Sequence, residues 1–434
     1  MRWSLCWAGP RRRSSSISSS NAAKEDTDPP TSNPEFLALR CYATTYFSIV
    51  VAFALLAGLG LQLLFGLFLW RAGEFSSLDE VVARQFDNAA IYGSAIHEDG
   101  FEYKLELAAA AKPAIIALGS SRVLQFRQSD FSEKFINAGR GMITPAEGLD
   151  FMRALTVHHK PKIVIIGADF WWFNPNWPYP RRQPRNTSLD LATLNLAESW
   201  LWQGKISLPD LWRVAVLGDV RNQLTWHDNI GIAAIKRGNG YRPDGSRDYG
   251  LRYSGGDATF DDQAFANTLA RIEVGEAQFK YAGRASAERF RQLDLLLEFI
   301  TSAGITPIVV LPPLSRHVLD AMAARGPDYG YFSDIAKYAD ELKTEAYDFT
   351  EPESLGAGDC EFVDGFHGGE VIYQRITANI VAMNPNSALA PYVDPESLNR
   401  AIQQGKGHAL SQASAGNYTL AESDFLRIGC HKGS

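Results

Sequence analysis

The chain has 434 residues, 46% of them hydrophobic and 21% charged, an ordinary globular composition with room for one large domain or two smaller ones with attachments. A formal charge of −7, with no Lys/Arg-rich block apart from Arg11, Arg12 and Arg13, argues against nucleic acid as the main partner.

In chain order, residues 1–40 open with a stretch rich in Ser, Pro, Asn and charge that cannot bury a core and is expected to be a disordered cytoplasmic tail. Residues 41–70 carry no charged side chain, and a membrane-spanning helix needs roughly 20 apolar residues. Arg40 and Arg71 bracket this stretch, and Tyr46 and Trp70 suit the two membrane interfaces. It lies too far from the N-terminus and is too long for a cleaved signal peptide, so a single uncleaved signal anchor is expected. Arg2, Arg11, Arg12, Arg13, Lys24 and Arg40 precede it, whereas only Arg71 and Arg84 follow before Lys104. That bias places the N-terminus in the cytoplasm and the large C-terminal part outside: in a bacterium, an inner-membrane protein facing the periplasm or outer surface. Cys360 and Cys430 fall in the exported part, where disulfides persist. Their pairing would tie the C-terminal tail to the domain; two free thiols are the alternative. Neither shows metal-ligand spacing, and no metal or cofactor is called for.

Residues 71–111 read as a membrane-proximal connector, 112–383 as the main domain, and 384–434 as a C-terminal extension. The main domain has α/β grammar. Strands are expected at 114–118 (AIIAL), 135–139 (FINAG), 162–168 (KIVIIGA), 305–313 (ITPIVVLPP) and 346–350 (AYDFT). Helices are expected after Ser121, over 145–159 with Pro145 at its start, over 285–303 ended by Gly304, and over 369–383. This alternation implies a parallel sheet in a three-layer α/β domain. Residues 171–284 break the pattern and read as a large insertion over the carboxyl edge of the sheet, a lid or binding wall. Seven of the ten tryptophans lie there, suited to carbohydrate stacking or a partner surface, or else to a small core of the insertion's own.

Two short motifs carry chemistry. Gly119-Ser120-Ser121 ends the first strand, where α/β sheets place active sites; a serine there is either a helix N-cap or a nucleophile. A nucleophilic serine needs a histidine base and a carboxylate to fix its tautomer. Among eight histidines, His367 stands three residues after Asp364 in a glycine-rich loop beyond the last strand, so the carboxylate can reach Nδ1 and leave Nε2 for a serine.

A Gly-x-Ser loop after the first strand and an Asp-x-x-His loop after the last resemble the SGNH (GDSL-like) hydrolase superfamily, over residues 112–383 minus the insertion. The resemblance implies an SGNH-hydrolase-like fold with Ser121 as nucleophile, His367 as base and Asp364 as its orienting partner. It also implies an oxyanion hole from the backbone N–H groups of Ser121 and of Gly139 in Asn137-Ala138-Gly139. Two positions depart from the family. Ser120 replaces the usual Asp, as in a membrane-anchored branch that includes D-alanyl transfer proteins of cell walls. Asp169, in Gly167-Ala168-Asp169, falls where the oxyanion-hole Asn belongs, and an ionised carboxylate there would repel an oxyanion; Asn174 or Asn176 is the nearest substitute donor. Arg122, Arg140, Trp171, Trp172 and Asn174 are candidate substrate contacts, the arginines being alternatively ion-paired. The function so implied is serine-dependent acyl transfer or ester hydrolysis on a cell-envelope polysaccharide, with the glycan or its acyl donor, and a multi-spanning membrane O-acyltransferase, as partners. The alternative is a catalytically degenerate glycan-binding or assembly protein on the same fold.

Overall fold

Each of the five apolar runs becomes a strand of one parallel sheet, and the segments between them supply its helices. The structure, a computed structural model, describes residues 34–97, 100–178, 189–222, 224 and 228–432. Most of the expected disordered tail lies outside these residues. The chain divides into two units, Met1–Gly60 and Leu61–Ser434. The described part of the first is helical, the start of α1 (Pro34–Arg71), which runs on into the second. Its stretch Tyr42–Arg71 is long and apolar enough to cross a membrane, with a mean hydropathy of 2.3 over an 18-residue window.

The larger unit continues through α2 (Leu78–Asn88), β1 (Ile91–Tyr92), α3 (Gly100–Ala111), β2 (Ile115–Gly119), β3 (Phe135–Gly139), α4 (Pro145–His158) and β4 (Ile163–Gly167). Then come α5 (Leu191–Trp202), α6 (Leu208–Leu211), β5 (Asn229–Ile230), α7 (Ile232–Arg237), β6 (Asn239–Tyr241), β7 (Arg247–Tyr249) and α8 (Ala266–Val274). After these come α9 (Ala287–Ser302), β8 (Thr306–Leu311), α10 (Arg316–Ala324), α11 (Tyr331–Glu341), β9 (Glu345–Asp348), α12 (Glu370–Met383), α13 (Pro395–Gly405) and the short α14 (Gln412–Ala415).

The main sheet has the order β3-β2-β4-β8-β9, every neighbouring pair parallel. The chain leaves β2 toward β3 on one side and returns to β4 on the other. The order therefore reverses between β2 and β4, and such a reversal opens a crevice beyond the carboxyl ends of the strands. Alternate residues of a strand face opposite sides. Ile116, Leu118, Val164 and Ile166 pack with α3, α4 and α9, while Ile115, Ala117, Ile163 and Ile165 pack with α12 and α13. At roughly 1.5–3 kcal/mol for each fully buried large aliphatic side chain, both faces contribute strongly to stability.

Three glycines stand abreast at the carboxyl edge: Gly119 pairs with Gly139 on one side and Gly167 on the other. A methyl built on Gly167 would lie 2.0 Å from Val123 Cγ1, one on Gly119 would lie 2.8 Å from the same atom, and one on Gly139 would lie 2.7 Å from Leu124 Cδ2. These glycines make the seat on which the turn after β2 rests.

The segment expected as a connector is part of the large unit. Val81 and Val82 of α2 and Tyr103, Leu107 and Ala108 of α3 lie in the same core as α4 and α9. Strand β1 joins the insertion in a second small sheet of order β5-β1-β6-β7. The C-terminal extension is likewise packed, Leu398 and Ile402 of α13 entering the core beneath α12. Cys360 and Cys430 form a disulfide. The insertion does not lie wholly over the carboxyl edge. Its α5 and α6 pack on the last turns of α1, and the β6–β7 hairpin covers the free edge of β3, where Asn137 N–H donates to Asp244 O at 2.7 Å. The buried Lys104 seals that edge, donating to the carbonyls of Asn137 and Gly245.

Candidate active site

After β2 the chain makes a tight 3-10 turn, Ser121–Gln125. A longer helix expected there does not form, because Val123 and Leu124 are folded down onto the three glycines and Asn137 holds the turn from below. The Asn137 side-chain amide donates to the carbonyls of Val123 at 2.7 Å and Phe126 at 2.9 Å. The two serines divide the labour between them. Ser120 caps the turn, its Oγ accepting from Arg122 N–H at 3.2 Å, and Ser121 turns to the histidine.

Ser121 Oγ–H donates to His367 Nε2 at 2.8 Å, and His367 Nδ1–H donates to Asp364 at 2.8 Å from each carboxylate oxygen. The Asp-x-x-His spacing works through local geometry. Asp364 Oδ1 also accepts the backbone N–H of Phe366 (3.1 Å) and His367 (2.9 Å), and Val363 N–H donates to His367 O at 2.8 Å, so the loop is a closed turn. Burial pushes the Asp364 carboxyl up, but His367 and then Arg252, whose Nη1 lies 3.9 Å away, outweigh it and hold the pKa at about 2. An ionised Asp364 keeps the imidazole in the tautomer that leaves Nε2 unprotonated.

The remaining expected site residues have other employment. Gly139 N–H does not face an oxyanion: it donates to Asn137 Oδ1 at 2.8 Å, since the Asn side chain that braces the turn loops back onto its own strand. Asp169 is fully buried and does not line an oxyanion hole; Arg122 Nη1 lies 3.6 Å from it. Charge and a poorly aligned contact with the Ser120 hydroxyl hold Asp169, since neither carboxylate oxygen has a well-directed hydrogen bond. Burial raises its pKa to about 7, with Arg122 offsetting part of the cost. Ser121, first in its turn, keeps an N–H that no carbonyl of that turn can accept, and it is the one expected oxyanion donor left in place.

Arg122 is not a substrate contact. It is buried and donates to the carbonyls of Phe366 (3.1 Å), Pro312 (2.6 Å) and Pro313 (2.7 Å), joining the serine turn to the end of β8 and to the histidine loop. Trp171 and Trp172 are buried in the core, with Phe170 and Trp171 packed over the Arg122 guanidinium, so neither offers a face to a sugar. Asn174 is buried and donates to Lys280 O, and Asn176 donates to Tyr281 O, which spends both substitute donors on the insertion. Arg140, half-buried in a left-handed backbone conformation, gives its N–H to Ser120 O at 3.1 Å.

Two positioning residues escaped the sequence reading. Asp262, from the insertion, accepts Gly365 N–H at 2.8 Å while also binding Thr268, and so props the histidine loop from outside. Arg252 lies against Tyr249 and Phe260 and faces the far side of Asp364. Neither stands in a motif; only a contact across the insertion reveals them. A cleft of about 950 Å³ lies at the opposite, amino edge of the sheet between α9, α11 and the start of β8, and no histidine lines it. No family model matches the chain, and comparison with curated proteins returns no match.

Proposed function

We propose that the chain is a membrane-anchored serine esterase or acyltransferase of the SGNH type, acting on acyl groups of a cell-envelope polysaccharide. The observation that carries the chemistry is the unbroken relay from Ser121 Oγ through His367 to Asp364, with 2.8 Å at each link. Ser121 Oγ attacks the acyl carbonyl as its proton passes to His367 Nε2, and Asp364 stabilises the imidazolium. The developing oxyanion meets the Ser121 N–H. Collapse of the tetrahedral adduct breaks the ester C–O bond; His367 returns the proton to the departing alcohol and leaves an acyl-serine. A second hydroxyl, from water or a sugar, then gives its proton to His367, attacks the acyl-serine and regenerates Ser121. The substrate class rests on the motif resemblance together with the apolar helix Tyr42–Arg71, which would hold the site beside the envelope and beside a multi-spanning acyltransferase donor.

A second reading, a glycan-binding protein on a degenerate hydrolase fold, is favoured by one observation: of the expected oxyanion donors, Gly139 N–H is taken and Asp169 is sealed in the core. Labelling with a fluorophosphonate probe and turnover of small acetyl esters separate the two. The full chain is expected to label and to turn over, and Ser121→Ala to lose both while keeping its fold. Glycan binding without turnover, unchanged by Ser121→Ala, would establish the second reading; full labelling of the variant would show the nucleophile to be misassigned.

A further inference from the structure

We propose that residues 191–217 of the insertion form a second membrane contact, a foot that lies in the headgroup boundary of a phospholipid bilayer beside the spanning helix. The proposal rests on the reading of α1 as a span. At 1.5 Å per residue the 30 residues Tyr42–Arg71 reach about 45 Å, against about 30 Å of hydrocarbon, so roughly a third of the stretch is surplus to a crossing. The last turns of α1 belong to the large unit, and the two sides of those turns differ. Phe65, Phe68 and Leu69 are buried against Trp200, Leu211 and Val214 of the insertion. Leu63 and Trp70, on the outside of the same turns, are each 67% exposed.

The insertion segment packed on those turns carries exposed apolar residues of its own. Leu191, Trp202, Leu208, Trp212 and Leu217 are between 59% and 79% exposed, and Leu208, Trp212 and Val216 follow one another at four-residue steps along a single stripe. Soluble surfaces scatter such residues singly; a dense group next to a span is where a bilayer is found. The level is fixed by Arg71, whose Nη1 donates to Val216 O at 3.1 Å and so sets the end of the foot beside the last turn of α1. Polar groups are also disposed for a boundary. Gln62 of α1 donates to Glu198 Oε2 at 3.3 Å, and Trp202 Nε1–H donates to Glu198 Oε1 at 3.4 Å. Indole rings with one apolar body and one satisfied N–H favour the headgroup level, and the exposed Arg71 and Lys205 at the rim suit anionic lipid. Leu63 and Trp70 are exposed on the same turns of α1 on which the foot packs, and a lipid boundary covers both exposed groups without a second protein.

The test uses the full chain with Cys6→Ser and Cys41→Ser, leaving the Cys360–Cys430 disulfide intact. Leu208→Cys, Trp212→Cys and Leu217→Cys are each spin-labelled and reconstituted into vesicles of phosphatidylethanolamine and phosphatidylglycerol. Collision with dissolved oxygen is compared with collision with a water-soluble nickel chelate. Phe53→Cys serves as the span reference and Ser302→Cys as the aqueous one. The three foot positions are expected to shift toward oxygen relative to Ser302→Cys. A profile matching Ser302→Cys would overturn the foot, as would shielding from both reagents, which means a protein cover. An aqueous profile at Phe53→Cys would remove the span itself and the foot with it, a failure distinguishable from the other two.

Discussion

Gly167→Ala tests the seat beneath the Ser121 turn. The glycine has no left-handed φ, so alanine meets no backbone strain there. Its new methyl would stand 2.0 Å from Val123 Cγ1, well inside contact distance, and Val123 is fully buried. Overpacking of this kind costs about 1–3 kcal/mol. Val123→Ala alone removes two methyls, about 0.8 kcal/mol each in transfer, plus a cavity, for about 2 kcal/mol. In the double variant the alanine methyl fills the space that valine vacates. The combined loss is then expected near about 2 kcal/mol rather than about 4, a coupling of about 2 kcal/mol. Thermal unfolding of the full chain in detergent, run on the four members of the cycle, reads this directly. Fluorophosphonate labelling read alongside is expected to slow in Gly167→Ala and to recover in the double variant, since Ser121 rides on the same turn. Strictly additive losses would refute the claim that glycines seat the turn.

Asp169 has a folded pKa of about 7, above the ~3.9 of an unfolded chain, so the native state alone retains its proton between those values. The stability from this group is therefore full below about pH 4 and is lost as pH rises through 7, an effect of up to about 4 kcal/mol. Asp169→Asn is expected to flatten that fall: between pH 5 and 8 its unfolding midpoint should drop less than the parent's, and equal drops would refute the assignment; Asp130, also raised to about 7 by burial, is common to both chains and cancels. Cys430→Ser opens a loop spanning 70 residues and is expected to cost about 4 kcal/mol by chain entropy. Matching midpoints for parent and variant under oxidising conditions would count against it.

The main sheet was legible because its strands are buried on both faces and read as short continuous apolar runs: 135–139 was expected and Phe135–Gly139 is found. Helix Pro145–His158 announced itself through Pro145 at its start, and the structure adds the Thr144 side-chain cap. Ser121, Asp364 and His367 were legible because the Asp-x-x-His turn is closed by local hydrogen bonds, which sequence spacing encodes. Contacts between distant segments were not legible. Whether Gly139 N–H faces solvent or Asn137 depends on one side-chain rotamer, and the fate of Arg122 depends on carbonyls of Pro312, Pro313 and Phe366. The tryptophans misled for a compositional reason: Trp171 and Trp172 suit a sugar platform and a core equally, and only packing decides.

The separation of 246 residues between Ser121 and His367 also has a meaning in time. Translation delivers Ser121 first, and at about 5–20 residues per second roughly 10–50 s pass before His367 exists. Throughout that interval Ser121 is an ordinary alcohol with no imidazole to take its proton. Asp364 and His367 arrive together, inside the ring that Cys360 and Cys430 later close, while Ser121 stays outside it. Under the proposed chemistry a nascent chain is thus silent, and reactivity would begin only with the chain that has completed its sheet.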